Sequence, residues 1–244
     1  MWRYYSRDFL AETFGVEYKG TNIIFPDYCQ RFDNEPVYNI TNDCLKMMCT
    51  YSDPDNALVA VTDGFDRLAT IDEIITEFDK QNVSYHIDFY FWNPNSFQEN
   101  RLRLIEKKYD SVSVFFHIPH EEYVKKLACY DYFVVLRKKG KIPIWPEYDA
   151  RCYSEGNHKY SVCSRYIESI AVGTPVVSTA AMTQCDILEK DEVLIKMHLK
   201  NISLSYLKEN RKSYKMNVRK KRHKYYIENH IDELILFIKD IVAN

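Results

Sequence analysis

The chain has 244 residues, 46% apolar and 28% charged, which is long enough to bury a core and ordinary for a globular domain. Lys and Arg total 33 against 35 Asp and Glu, so a net charge of −2 provides no bulk field that favours nucleic acid. The seven cysteines form no Cys-x-x-Cys pair, which argues against structural zinc and for a reduced, cytoplasmic compartment, and no apolar run reaches the ~18 residues of a membrane span.

Met1-Trp2-Arg3-Tyr4-Tyr5 leads into charged sequence and does not read as a signal peptide. Residues 4–14 read as a helix, with Ser6 as cap and Phe9, Leu10 and Phe14 on its apolar side. Thr21 to Phe25 is a β-branched run ended by Pro26. Residues 27–56 are polar and read as a linker with one helical turn around Leu45-Lys46-Met47-Met48. Residues 57–62 form a continuous apolar run, expected as the first strand of a sheet covered on both faces.

The elements then alternate. Ile71, Ile74, Ile75 and Phe78 predict a helix over 70–81, with Thr70 and Glu73 as a capping box. Strands are predicted at 85–91, 112–117 and 131–136, with helices over 96–108 and from Pro119 onward. An irregular segment, 137–162, comes next; a stretch of this length is usually functional or disordered. Tyr166, Ile167, Ile170 and Ala171 then make one apolar helical face. Gly173 suits the left-handed position after the helix, and Pro175 starts the strand Val176-Val177. Residues 183–189 read as a helix, 192–196 as a strand, and 203–242 as helical with a break. The alternation predicts an α/β fold with a doubly wound parallel sheet, whose ligands bind outside the carboxyl ends of the strands. The basic run from Arg211 to Lys224 reads either as a solvated helix face or as a contact for an anionic membrane surface.

Arg165-x-x-Glu168-x-x-Ala171-x-Gly173-x-Pro175-Val176-Val177 resembles the nucleotide-sugar site of GT-B glycosyltransferases, in particular the group 1 sugar transferases. Arg165 stands where that pattern has Lys. The resemblance implies that Glu168 accepts from the donor's ribose hydroxyls and that Arg165 lies near its diphosphate. Both roles suit the chemistry: a carboxylate accepts from two vicinal hydroxyls, and a guanidinium donates in pairs. On the plain helical reading, Arg165 and Glu168 form an i, i+3 surface pair worth about 0.2–0.5 kcal/mol.

Arg67 follows the 57–62 strand, where the family commonly places a cation for the leaving diphosphate; pairing with Asp63 and Asp66 is the plain alternative. His117-Ile118-Pro119-His120-Glu121-Glu122 resembles the family segment whose backbone receives the base, which makes Ile118 the candidate, while His117 reads as a buried, satisfied histidine. Asp131 reads as structural. Arg137, Glu155 and Tyr160 in the long segment, with Ser164 opening the helix, are candidate donor contacts; Tyr160 stands where many relatives carry the first Glu of Glu-x7-Glu.

The resemblance implies a Rossmann-like GT-B donor domain over 51–244 with a C-terminal helical segment, preceded at 1–50 by a remnant of an acceptor domain and a linker. The implied activity moves a sugar from a nucleotide-sugar donor to a glycan or lipid-linked acceptor in polysaccharide or glycoconjugate biosynthesis. Retention is favoured, no metal or other cofactor is needed, and the location is cytoplasmic or peripheral to the inner membrane face. A complete GT-B enzyme has two such domains. Two further readings therefore stay open: a non-catalytic nucleotide-sugar-binding subunit that needs a separate acceptor-domain chain, and a scaffold without ligand.

Overall fold

The computed structural model describes residues 43–51, 71, 74–91, 94, 96–135, 164–179, 183–198, 201–232, 235, 236 and 239. The elements read at 4–14, 21–25 and 57–62 lie outside the described residues.

Leu45–Tyr51 is a strand, β1, and it is central. It pairs in parallel with β2 (Tyr85–Phe91) along its whole length, from Leu45↔Tyr85 to Tyr51↔Phe91. Its other edge pairs with β4 (Tyr132–Val135) from Met47↔Tyr132 to Cys49↔Val134. This corrects the linker with a helical turn expected here, and the strand crosses the 50/51 domain boundary drawn from the sequence. The physical reason is burial on both faces. Leu45, Met47 and Cys49 join one core cluster and Met48 joins the other, so apolar side chains face both layers and the strand lacks a clean alternation.

Among the described residues the sheet has the order β3-β2-β1-β4-β5-β6, all parallel, with β3 at Val112–Phe116, β5 at Val176–Ser178 and β6 at Leu194–Lys196. This is the doubly wound Rossmann order. It reverses between β1 and β4, which opens a crevice at the carboxyl edge where ligands of such sheets bind. The segments leaving β1 and β4 there, 52–70 and 136–163, lie outside the described residues.

The two faces are covered by different helices. On one, Ile74, Ile75 and Phe78 of α1 (74–79), Leu102 and Ile105 of α2 (Ser96–Lys108), and Leu204 and Leu207 pack on Met47, Ile87, Phe89 and Val134. The helix expected over 70–81 thus turns Ile71, Ile74, Ile75 and Phe78 inward as read. On the other face, Tyr123, Val124 and Leu127 of α3 (His120–Leu127) cover Met48, Phe133 and Val176 together with Tyr166, Ile167 and Ile170 of α4 (Ser164–Ala171). Cys185 and Leu188 of α5 (Thr183–Lys190) complete that layer.

The long helix α6 (Leu204–Lys221) is capped by Ser203, whose Oγ accepts from Tyr206 N at 3.2 Å. Two side chains, one from the turn after α1 and one from β4, hold it. Gln81 donates to Ile202 O and accepts from Leu204 N, both at 2.8 Å, and Tyr132 donates to Leu207 O at 2.9 Å. Asp131 serves the amino edge: its carboxylate accepts from Lys46 N at 2.9 Å and lies 3.7 Å from Arg211. It therefore joins β1, β4 and α6, far from the carboxyl edge.

The basic C-terminal run is partly internal. Lys215 is buried, and burial pushes its pKa down against the opposing charge of Asp131. Lys224 and Tyr225 bind the Asp191 carboxylate at 3.0 and 2.7 Å, and Lys221 binds Asp191 O at 2.7 Å. Lys212, Arg219, Lys220 and His223 stay exposed. The break expected in 203–242 is present: short 3-10 turns at Arg222–Tyr225 and Ile227–Asn229 follow α6.

Two outcomes follow from this packing. Met47→Ala, at a site with no exposed surface, should cost about 2–5 kcal/mol in a urea unfolding experiment, whereas a linker residue would lose almost nothing. The second concerns acid. Burial raises the Asp191 carboxyl, but the hydrogen bonds from Tyr225 and Lys224 and the charges of Lys224 and Lys221 outweigh it and hold the group below its ordinary 3.8. The folded pKa is depressed, so this contribution is fully present above that ordinary value and is lost as pH falls through the folded one. Between about pH 5 and about pH 3, Asp191→Asn should lose less stability than the parent chain, read as the shift of the urea midpoint.

Candidate functional site

The α4–β5 junction is built by its backbone. Gly173 adopts φ 90°, a left-handed value that a side chain would disfavour. Its N–H donates to Ile170 O at 3.0 Å, and Thr174 N donates to Ser169 O at 2.8 Å, the two bonds of a Schellman cap. Pro175 then cannot continue the helix, and its carbonyl accepts from Phe133 N at 2.9 Å as β5 enters the sheet.

Side chains fix the helix to its neighbours. Ser169 Oγ donates to Thr174 O and Thr174 Oγ1 donates to Leu127 O, at 2.8 and 2.9 Å, tying the cap of α4 to the end of α3. Tyr166 and Ser178 share a buried hydroxyl bond of 2.8 Å, which ties the first turn of α4 to the carboxyl end of β5. Glu168 is therefore carried on a helix held at both ends.

The facing element is the loop from β3 to α3. Phe116 ends the strand, one residue short of the expected 112–117, because His117 turns to φ 53°. His117 was expected to be buried, yet its side chain is 55% exposed and its Nε2 lies 3.2 Å from Glu99 Oε1 in the first turn of α2. A left-handed non-glycine residue is uncommon, though histidine is among the types enriched there. Ile118 lines a small cleft with Tyr90, Phe91, Phe115 and Tyr123. Tyr90 stacks on Phe115 with ring centroids 4.9 Å apart. Behind the cleft, Tyr130 donates to Asp88, so the Tyr90–Tyr130 bond of 2.9 Å runs from the Tyr90 hydroxyl. Burial pushes the Tyr90 phenol up to about 12, and it keeps its proton at neutral pH. Pro119 precedes α3, whose amino end no side chain caps.

His120, the first residue of α3, closes the gap between the two elements. Its Nε2 lies 3.2 Å from Glu168 Oε1. The Glu168 side chain is only 19% exposed, while His120 is 59% exposed. Among the described residues Glu168 pairs with His120 and not with Arg165, so the i, i+3 surface pair considered from the sequence is not formed. Arg165 is half-buried one turn earlier and Ser164 is exposed at the start of the helix.

The structure thus brings together Glu168, Arg165, Ser164 and Ile118 at one end of the sheet. Arg67, Arg137, Glu155 and Tyr160 lie outside the described residues. His120 is the residue that the sequence reading passed over. The available signal was its position, a titratable side chain directly after Pro119 at a strand-to-helix turn on the ligand-binding edge.

A second cluster has the residue types of a nucleophilic relay but not its wiring. His86 Nε2 lies 3.0 Å from both Ser113 Oγ and Asp88 Oδ1. A relay needs one ring nitrogen for the nucleophile and the other for the carboxylate. Here both partners address the same nitrogen.

No protein-family model matches the chain, and no curated protein matches it. Solved structures do. The fold is similar to that of the pneumococcal O-GlcNAc transferase GtfA in complex with UDP and GlcNAc, with a TM-score of 0.50 and 11% identity over 97% of this chain and 44% of that one. AviGT4, a glycosyltransferase involved in avilamycin A biosynthesis, matches with a TM-score of 0.49 and 15% identity over 83% of this chain and 52% of that one. An O-GlcNAc transferase mutant from Thermobaculum terrenum matches with a TM-score of 0.41 and 13% identity over 78% of this chain and 35% of that one. At these identities the likeness is one of fold: the six-stranded parallel Rossmann-like sheet is an architecture shared with GT-B glycosyltransferases. The chain spans about half, or less, of each of those structures.

The Schellman turn gives its own test. Gly173→Ala should destabilise the chain by about 1–3 kcal/mol, because alanine is strained at the left-handed value. Thermal unfolding followed by circular dichroism would measure it.

Proposed function

We propose that the chain is the nucleotide-sugar-binding half of a GT-B glycosyltransferase of the group 1 type, which transfers a sugar from a nucleotide donor to a glycan or lipid-linked acceptor. The observation that carries this reading is the 3.2 Å bond from His120 to Glu168. It brings the loop proposed to receive the base beside the carboxylate proposed to receive the ribose, although 48 residues separate them in the chain. The GtfA structure, solved with UDP and GlcNAc, has a similar fold and makes UDP the first probe.

In this reading the Ile118 backbone meets the base and Glu168 accepts from the ribose hydroxyls. Arg165 and Arg67 carry the diphosphate, and Arg137, Glu155, Tyr160 and Ser164 contact the diphosphate or sugar. As the glycosidic bond to the diphosphate breaks, negative charge grows on the leaving oxygen. Cations and backbone N–H groups already aimed at that point lower its energy, so neither a metal nor another cofactor is required.

A second reading has its own observation. Tyr160 stands where many enzymes that the motif resembles carry a sugar-binding Glu. This fits a nucleotide-sugar-binding subunit that works with an acceptor domain on another chain. The exposed cations of α6 would then face an anionic membrane. No helix among the described residues is long and apolar enough to cross one.

Calorimetric titration with UDP, GDP and their sugar conjugates tests the shared donor site. One nucleotide should bind, and Glu168→Ala should weaken it by about tenfold or more, the range for a hydrogen bond to a charged group. Absence of binding at millimolar ligand, or a Glu168→Ala affinity equal to the parent's, would overturn the reading. Turnover of the bound sugar nucleotide would then separate the enzyme from the subunit.

A further inference from the structure

We propose that His120 is a positioning residue for the donor's ribose. It holds one oxygen of Glu168 so that the other is presented to the vicinal hydroxyls. The proposal rests on the donor-site reading above and adds to it a residue that the family resemblance does not supply.

Three observations support it. Glu168 is a mostly covered carboxylate, and among the described residues its one hydrogen-bond partner is His120 Nε2, at 3.2 Å on Oε1. A carboxylate has two oxygens with about four lone-pair sites, so fixing Oε1 leaves Oε2 to accept from a diol. Next, the bond joins two separately supported elements. α4 is held by Thr174 to Leu127 O and by Tyr166 to Ser178, while His120 opens α3 behind Pro119. The bond therefore fixes the spacing between the Ile118 backbone and the Glu168 carboxylate. Last, it gives Glu168 a partner other than Arg165. An Arg165–Glu168 pair would have engaged the same carboxylate from within its own helix and fixed no distance to α3.

A residue that merely packs would change affinity for every nucleotide alike. A residue that orients Glu168 changes the preference for the diol. UDP and 2′,3′-dideoxy-UDP are therefore titrated against the parent chain, His120→Ala, His120→Leu, His120→Gln and Glu168→Ala, with GDP and its dideoxy analogue if guanine is the base bound. The parent should prefer the diol by about tenfold or more. His120→Ala and His120→Leu should bind the dideoxy nucleotide as the parent does but reduce the preference to about twofold or threefold. His120→Gln, which keeps a donor of similar reach, should restore most of it. Glu168→Ala should abolish it, and adding His120→Ala should cause no further loss.

If Glu168→Ala removes the preference while His120→Ala and His120→Leu retain it in full, the proposal is wrong and the donor site stands. If neither nucleotide binds the parent, or the preference survives Glu168→Ala, the donor-site reading fails and takes the proposal with it. Equal weakening of both nucleotides in the His120 variants, with the diol preference intact, assigns His120 a packing role and also overturns the proposal.

Discussion

The turn at Gly173 sets the direction in which α4 stands against the sheet, and the proposed site depends on it. A helix that runs straight into a buried strand must reverse within two or three residues without leaving carbonyls unsatisfied. The left-handed φ of 90° does this, because it lets Gly173 and Thr174 return their N–H groups to the last turn. Pro175 then commits the chain to extension. With both ends of α4 tied by buried hydroxyls, the rotation of the helix is defined, and so is the side on which Glu168 emerges. The motif that resembles a nucleotide-sugar site is in this sense a backbone device first: its Gly and Pro make the turn that aims its Glu.

The sheet order decides what Glu168 faces. Parallel strands place every helix amino end on the carboxyl edge, so α3 and α4 open on the same side of the sheet. They are also adjacent on one face, where Tyr123, Val124 and Leu127 meet Tyr166, Ile167 and Ile170 in a shared core. The hydrophobic contact brings the helices together, and the polar contact at their exposed end then forms between His120 and Glu168. Removal of apolar area from water is non-directional, so the core alone would tolerate small slides of one helix along the other. The hydrogen bonds from Thr174 and His120 remove that freedom.

Most of this fold was legible in the sequence wherever periodicity was strong. Ile71, Ile74, Ile75 and Phe78 recur at helical spacing and are all buried, and Gly173 with Pro175 marked the junction. β1 was not legible, for an identifiable reason. Leu45-Lys46-Met47-Met48-Cys49 contains helix-favouring Leu, Lys and Met, and a strand buried on both faces lacks the period-two signature. Its identity is settled by partners far away in the chain, Tyr85–Phe91 and Tyr132–Val134, which no local window contains. His117 illustrates the same limit for side chains. It reads as a buried, satisfied histidine in the sequence, but a left-handed turn at the strand end carries the ring out to Glu99. For the proposed site, the motif points to Glu168 and its helix, but not to the histidine that reaches it from another element.

That last omission shows what kind of information a spacing motif carries. Arg165 and Glu168 are three residues apart on one helix, so their pairing could be anticipated from sequence and, if formed, would stabilise only that helix by a few tenths of a kcal/mol. The bond that forms instead crosses between helices. It adds little to the stability of α4 itself, but it fixes a distance between two elements that the hydrophobic core leaves adjustable. A nucleoside spanning the Ile118 backbone and the Glu168 carboxylate would sense that distance directly. In the proposed site, a positioning contact made between elements would keep recognition of the ribose separate from recognition of the diphosphate.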